Sequence, residues 1–426
     1  MNQTLPDILR QDWFFGTIPK DWKAIPLKYL CKRVSIYGAN VSADEYQPEG
    51  VRFIRTSDIR DDGKLEEDGI FLPPHLVSDY ILSEGDFLIS RSGTVGRAYV
   101  HNSGNGTCAY AGYLVRYVFR DLQTAKWMFY ITKSPYFEQW LGSSAIEATI
   151  GNVNGEKYAN MLVPVPPIGQ QKQITDYLNK KTNQLDKLIS SKERLLGLLA
   201  EKKSLLIRHS VTRGFNRNVS FRDSCVSWLG EIPVHWSIER AKWLFRERDQ
   251  RSQTGEEELL TVSHLTGVTL RSEKNVNMFE AETTEGYKLC YAGDLVINTL
   301  WAWMGAMGVS PIDGIVSPAY NVYTPCPELH PSYIDALVRI PLFAEEATRY
   351  SKGVWSSRLR LYPEGFFEIW LPVPPLDEQR AIVEYIATEI TKLNALKFAA
   401  ERTIALLKER RYALIAAAVT GKIKVT

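Results

Sequence analysis

The sequence predicts an α+β protein in which two pseudo-symmetric globular domains are separated by two long antiparallel coiled-coil helices. Three observations carry that expectation: an internal repeat, a proline run closing each globular part, and a proline-free apolar seam after each run. The repeat decides the reading. LVPVPPIGQQKQITDYL (162–178) recurs as WLPVPPLDEQRAIVEYI (370–386), an offset of 208 residues. The offset holds onward without a gap to Val211-Thr212 and Val419-Thr420, and upstream it pairs EGDFLIS (84–90) with AGDLVIN (292–298). GTIPKDW (16–22) returns as GEIPVHW (230–236) at an offset of 214, so the second copy is about six residues shorter in between. The chain reads as two copies of one unit of about 210 residues.

Four segments follow: a globular domain over 1–162, a proline exit and long helix over 163–214, a second domain over 215–370, and a second exit and helix over 371–426. Within the domains, VRFIRTSDI (51–59), GDFLISRSG (85–93) and YLVRYVF (113–119) are short β-branched and aromatic runs bounded by turn residues. Their second-copy counterparts are ELLTVSHL (258–265), GDLVINTL (293–300) and YNVYTP (320–325). Helical stretches follow at 125–141 and 331–350. The PVPP run cannot continue a helix and restricts the residue before each proline, so it ends the domain. A helix then starts near Gln170 and runs to about Ser210, with apolar residues at 174, 178, 185, 188, 195, 199 and 206. The second, over 378–418, repeats the spacing at 386, 390, 393, 400, 404, 407 and 414. Each is about 60 Å long at 1.5 Å per residue. Two equivalent helices related by a pseudo-twofold axis run in opposite directions, so their seams are expected to pair antiparallel. Ile189, Leu196, Leu198, Leu406 and Ile415 lie beside the seam and either hold partner proteins or widen the buried stripe.

Composition bounds the class. A chain of 426 residues with 45% apolar and 23% charged types is ordinary for a globular protein of two or three domains. No apolar run approaches the roughly 20 residues that span a bilayer, and MNQTLPDILRQDW is not a signal peptide. Five cysteines (Cys31, Cys108, Cys225, Cys290, Cys326) lie far apart without a C-x-x-C pair, which argues against zinc and against a disulfide framework. An intracellular, cytoplasmic protein is expected. The net charge of +2 is unevenly spread: the helical segments 168–214 and 376–426 together carry +9, leaving −7 for the rest. Any nucleic-acid surface on the globular parts then depends on local placement of arginines.

Taken in order, the G-x-I-P-x-x-W opening, the G-D-hydrophobic strand at Gly85-Asp86 and Gly293-Asp294, the P-V-P-P-h-x-x-Q-x-x-I run at 164–174 and 372–382, and the long helix after each occur twice. In this the chain resembles the specificity subunits of type I restriction–modification systems over nearly its whole length. The resemblance implies that 1–162 and 215–370 are target-recognition domains, each reading half of a bipartite double-stranded DNA site. It further implies that the paired helices set the spacing and seat two adenine methyltransferase (modification) subunits, which a restriction/translocase subunit joins. S-adenosylmethionine, ATP and Mg then belong to those partners, with no cofactor on this chain.

The residues themselves support a chain without catalysis of its own. There is no G-x-x-x-x-G-K-[ST] loop, no Asn/Asp-Pro-Pro-aromatic tetrapeptide of amino-methylating enzymes, no G-x-S-x-G, and the six histidines show no metal-ligand spacing. A coiled-coil adaptor whose two heads bind protein or carbohydrate is the alternative, and a specificity chain serving a fused methyltransferase–nuclease is a third reading.

Base edges are read by Arg, Lys, Asn, Gln, Ser and Thr, and phosphates by cations, hydroxyls and amides. In the first domain the candidates are Arg55, Thr56, Ser57 and Arg60 on one turn; Ser90, Arg91, Ser92, Thr94 and Arg97 on a glycine-containing loop; Tyr110 and Tyr113; and Asn152 and Asn154 before the proline exit. In the second they are Ser263 and His264, then Asn298, Trp301 and Trp303, then Ser317, Tyr320 and Asn321, and finally Arg358 and Arg360. The frame repeats while these loops diverge. One scaffold presenting two different surfaces is expected to read an asymmetric site, not a palindrome.

Overall fold

The computed structural model describes residues 18–145, 152–216, 218–273, 283–353 and 359–423. The chain forms two compact units, one of residues 1–193 with 402–426 and one of residues 194–401. Each long helix is therefore divided between the units.

In the first unit, four antiparallel strands lie in the spatial order Cys31–Tyr37, Leu114–Phe119, Phe87–Ser90, Ala98–Val100. The strand Phe87–Ser90 is buried throughout, because the sheet is covered on both faces. Phe87, Ile89, Val115 and Tyr117 share a core with Trp127, Met128 and Ile131 of the helix Leu122–Ile131. Leu88 and Leu114 join Ile54, Tyr99 and Tyr110 on the other side. A smaller mixed sheet adds Ile70–Leu72, Val51–Ile54 and Cys108–Tyr110 in that order. The helix Leu122–Ile131 begins where Asp121 accepts from the Thr124 amide at 2.7 Å, a side-chain cap.

The second unit repeats the plan. Its four strands lie in the order Phe245–Glu247, Tyr320–Pro325, Leu295–Asn298, Met307–Val309, all antiparallel. Leu295, Ile297 and Tyr323 pack towards the helices Pro331–Val338 and Pro341–Arg349, and Val296 and Val322 pack the other way. Each of these helices starts on a proline at its first position, where the missing amide has no intrahelical partner to lose. The units differ outside this frame. In the second, Leu260–Ser263 pairs with Gly267–Leu270 as a hairpin, and Lys288–Cys290 pairs with Gly314–Val316.

Both repeated motifs prove to be framework. The first is the proline exit. Lys23–Pro26 pairs antiparallel with Leu162–Val165, and Ser237–Arg240 with Trp370–Val373. The motif glutamine then turns its amide back on the prolines: Gln171 Nε2 donates to the Pro166 carbonyl and Gln379 Nε2 to the Pro374 carbonyl, each at 2.9 Å. The second is the G-D pair. Asp86 and Asp294 are both buried, and each accepts a backbone amide three residues upstream (Ser83 at 2.7 Å, Tyr291 at 2.9 Å). Each also pairs with an arginine, but from different strands. Arg116 of Leu114–Phe119 lies 3.1 Å from Asp86, whereas Arg248, just beyond Phe245–Glu247, lies 2.8 Å from Asp294.

The helices span Ile168–Arg213 and Leu376–Val419, one to three residues longer at each end than the sequence predicts. In the first unit Arg411 pairs with Asp186 at 2.9 Å and Lys408 with Glu193 at 3.4 Å. Numbers fall on one helix as they rise on the other, so the pairing is antiparallel there. In the second unit Ile207 and Val211 share a core with Ile382, Ile386 and Ile390. The buried stripe departs from the expected one. Leu188 and Leu195, expected in the seam, are exposed, while Ile189 and Ile415, expected beside it, are buried. Leu198 and Leu406 remain exposed. The reason is the mismatch of 3.6 residues per turn with a seven-residue repeat. A nearly straight helix drifts by about 20° per heptad, enough over five heptads to move the stripe by one position.

Candidate nucleic-acid interface

Three loop segments meet in the first unit, held by backbone hydrogen bonds. The Arg91 amide donates to the Tyr113 carbonyl at 3.0 Å, and the Val153 amide donates to the Arg91 carbonyl at 2.9 Å. The turn 55–60 joins them through Arg97, whose Nη1 donates to the Ile59 carbonyl at 3.0 Å and whose Nη2 lies 3.4 Å from Asp61. The four first-domain clusters found in the sequence therefore come together. Tyr37 and Asn40 belong with them and were not among the sequence candidates. The Arg91 guanidinium sits 5.0 Å from the Tyr37 ring centre, and the Gly112 amide donates to Ala39.

The second unit ties equivalent segments in the same way. The Leu361 amide donates to the Thr299 carbonyl at 3.1 Å, the counterpart of Val153 to Arg91. Thr299 Oγ1 donates to the Ala319 carbonyl at 2.8 Å, taking the place of the Arg91 amide bond to Tyr113. The loop 298–304, the turn 317–321 and the segment 359–361 are thus one cluster. Ser263 and His264 sit apart from it on the hairpin, whose tip accepts Arg339 Nη2 at the Leu265 carbonyl.

Exposure sorts the candidates. Ser57, Arg60, Thr94, Tyr113, Asn154, His264, Trp301 and Arg360 are exposed, with Tyr113 at 66% and Trp301 at 50%. Arg55, Thr56, Arg91, Ser92, Arg97, Asn152, Ser263, Trp303, Ser317 and Tyr320 are half-buried. Asn154 caps the short helix Gly155–Asn160 by accepting from the Lys157 amide at 2.8 Å. Trp301 and Trp303 stack with ring centres 6.2 Å apart, and Trp303 Nε1 is anchored on the Leu300 carbonyl. Arg358 lies outside the described residues.

Four candidates are corrected to structural roles. Ser90 is fully buried; its Oγ donates to the Thr94 carbonyl and accepts from the Arg97 amide at 2.9 Å, shaping the loop from inside. Tyr110 is fully buried against Tyr80. Asn298 is buried and accepts from the Leu300 amide, and Asn321 is buried and accepts from Lys288 Nζ at 3.2 Å. Each satisfies a polar atom that burial would otherwise strand. Ser90→Ala is therefore expected to cost about 1–3 kcal/mol of folding stability, since the Arg97 amide loses its acceptor. Chemical denaturation measures this, and an unchanged midpoint would mean the loop does not depend on Ser90.

Electrostatically the first turn is held by acid–base pairing. Asp58, buried, accepts the Arg55 amide at 2.9 Å and binds the guanidinium through Nε at 3.1 Å and Nη2 at 2.8 Å. Hydrogen bonding to Asp58 raises the Arg55 pKa further above its ordinary value. Arg60 leans on Asp62 at 3.3 Å. Near Arg97, burial pushes the Lys133 ammonium down to about 8, with Asp61 opposing. Among the described residues, no group of His, Cys, Asp and Glu is placed to hold a metal ion, and no helix is long and apolar enough to cross a membrane.

Comparison with known proteins follows the same division. Residues 19–195 match the family described as the type I restriction modification DNA specificity domain. The type I restriction enzyme MjaVIII specificity subunit of Methanocaldococcus jannaschii is 24% identical over 232 residues, covering 53% of this chain and 49% of that protein. The StySPI specificity subunit of Salmonella potsdam is 20% identical over 221 residues, covering 50% and 47%. The chain thus matches about half the length of these curated relatives. Among solved structures, a chain from work on complex assembly and conformational transition of the type I R-M system is 16% identical with a TM-score of 0.69, covering 96% of this chain and 100% of that one. The HsdS subunit from Thermoanaerobacter tengcongensis is 15% identical with a TM-score of 0.55, covering 96% and 98%. At these identities the two structures share the fold.

Proposed function

We propose that the chain is a specificity subunit of a type I restriction–modification system, the non-catalytic subunit that selects an asymmetric bipartite DNA site. The observation that carries this reading is one frame bearing unlike tips. The four-stranded sheet, the proline exit and the tie from the third loop to the first recur in both units. The exposed groups differ: Ser57, Arg60, Thr94, Tyr113 and Asn154 in the first unit, Trp301, His264 and Arg360 in the second. Each unit reads one half-site, and the helices hold the half-sites at a fixed spacing. Two methyltransferase subunits and a restriction/translocase subunit bring the chemistry, with S-adenosylmethionine, ATP and Mg bound to them, in the cytoplasm.

A gel-shift titration of the full chain on random duplex DNA tests the binding. Affinity is expected to fall steeply with salt, with a log–log slope of about −0.9 per phosphate neutralised. Salt-independent affinity, or none, would favour the adaptor. The purified chain alone, given S-adenosylmethionine, ATP and Mg, is expected neither to methylate nor to cut. Methyl transfer by the chain without a partner would contradict the proposal.

A further inference from the structure

We propose that Arg55 reads a guanine in the half-site bound by the first unit, with Asp58 as the residue that positions it. This rests on the DNA-reading role proposed above and goes further by naming the base and the atoms. Reading guanine O6 and N7 requires two guanidinium N–H groups pointing the same way, on a side chain that does not have to be ordered at the moment of binding. Arg55 meets both demands. Its Nε–Nη2 edge is fixed on the buried carboxylate of Asp58 at 3.1 and 2.8 Å, and Ser57 Oγ donates to the same carboxylate at 3.1 Å. The Asp58 carboxylate is fixed in its turn by the Arg55 backbone amide at 2.9 Å. Both ends of the pair are thus anchored to one 3-10 turn, Thr56–Asp58. The Tyr46 ring flanks the guanidinium at 5.9 Å. The Nη1–Nη2 edge has no further carboxylate within ion-pair distance among the described residues, the Tyr46 side chain being the other polar neighbour of the guanidinium; the side chain is 38% exposed.

The neighbouring arginines are placed differently. Arg97 spends Nη1 on the Ile59 carbonyl and Nη2 on Asp61, so both ends are engaged within the protein. Arg52 donates Nη2 to the Glu66 carbonyl. Arg91 lies over Tyr37, where stacking orients its face and not its edge. Arg60 is held by a single contact to Asp62. Arg55 also opens onto a surface groove of about 530 Å³ shared with Ser57, Arg60 and the acidic run Glu66-Glu67-Asp68. Those carboxylates repel phosphate, which favours a base edge over the backbone as the partner of Arg55. The corresponding turn of the second unit carries Ser263 and His264 and no arginine. The guanine contact therefore belongs to one half-site only.

The test is selection from random duplex DNA by the full chain together with its methyltransferase subunits, run for wild type, Arg55→Ala and Arg55→Gln. Wild type is expected to require one G·C pair at a fixed position in one half-site. Arg55→Ala should relax that single position by about 5- to 150-fold in base discrimination, leaving the other half-site intact. Arg55→Gln, which keeps a donor for Asp58, should move the preference at that position towards adenine. It also guards against a folding defect in the alanine variant, because an unfolded unit cannot acquire a new preference. Uniform weakening across all sequences, with the salt slope reduced by about one, would identify a phosphate contact and overturn the proposal. So would unchanged selectivity in both variants. A wild-type selection that yields no motif would instead overturn the DNA-reading role itself.

Discussion

Inserting one heptad after Leu199 and a second after Glu401 is expected to lengthen the preferred spacer between half-sites by about three base pairs while both half-site sequences survive. Seven residues add about 10 Å of helix, and duplex DNA rises about 3.4 Å per base pair. The paired insertion follows from the antiparallel register. Lys408 with Glu193 and Arg411 with Asp186 set partner numbers that sum to about 600, which places Leu199 opposite Glu401. A heptad also preserves the phase of the buried stripe, so that Leu185, Ile189, Leu393 and Ile404 keep facing inward. Selection from random duplex DNA measures the spacer directly. Binding that survives with the original spacer would mean that something other than helix length positions the heads.

Arg248→Ala is expected to destabilise the second unit by about 3–5 kcal/mol, because it leaves the buried Asp294 carboxylate without its cation. Arg248 binds Asp294 through Nε at 2.8 Å and Nη2 at 3.2 Å, and its Nη2 also donates to Thr324 Oγ1 at 2.7 Å. The double variant Arg248→Met with Asp294→Leu removes both charges and should recover much of that loss. Urea denaturation of the three proteins measures the loss and its recovery, and a single variant as stable as wild type would show that water already compensates the carboxylate. The same substitution far from the tips should leave selectivity unchanged in whatever protein remains folded.

The repeat makes the frame legible in the sequence. Constant offset, β-branched runs and the PVPP exits located the two central strands of each four-stranded sheet and both helices, because each depends on local chain chemistry. The partner of the G-D carboxylate was not legible. The aspartate repeats, but its arginine comes from Leu114–Phe119 in one unit and from beside Phe245–Glu247 in the other, and only the fold brings either to it. The loop residues misled where polarity was equated with exposure. Ser90 and Asn298 are equivalents at an offset of 208, and a small polar residue ending the same strand in both copies is a framework signal. Ser90 holds the Thr94 carbonyl and the Arg97 amide, and Asn298 holds the Leu300 amide, so each serves its own loop from inside. Tyr110 and Asn321 were buried by a second layer of strands that the sequence did not order. Tyr37 and Asn40 escaped notice because they end and follow a strand, Cys31–Tyr37, that pattern alone did not find. The Leu188-to-Ile189 shift of the seam is of a different kind, a cumulative consequence of helix pitch.

The most direct test of two unlike reading heads on one scaffold is the motif enriched from random duplex DNA by the full chain with its methyltransferase subunits. Two different short half-sites separated by a constant number of unread base pairs is the result this account predicts. A palindrome would mean that the two tips read alike despite their different residues. One contiguous motif would mean that a single head reads DNA, and either outcome would contradict the account.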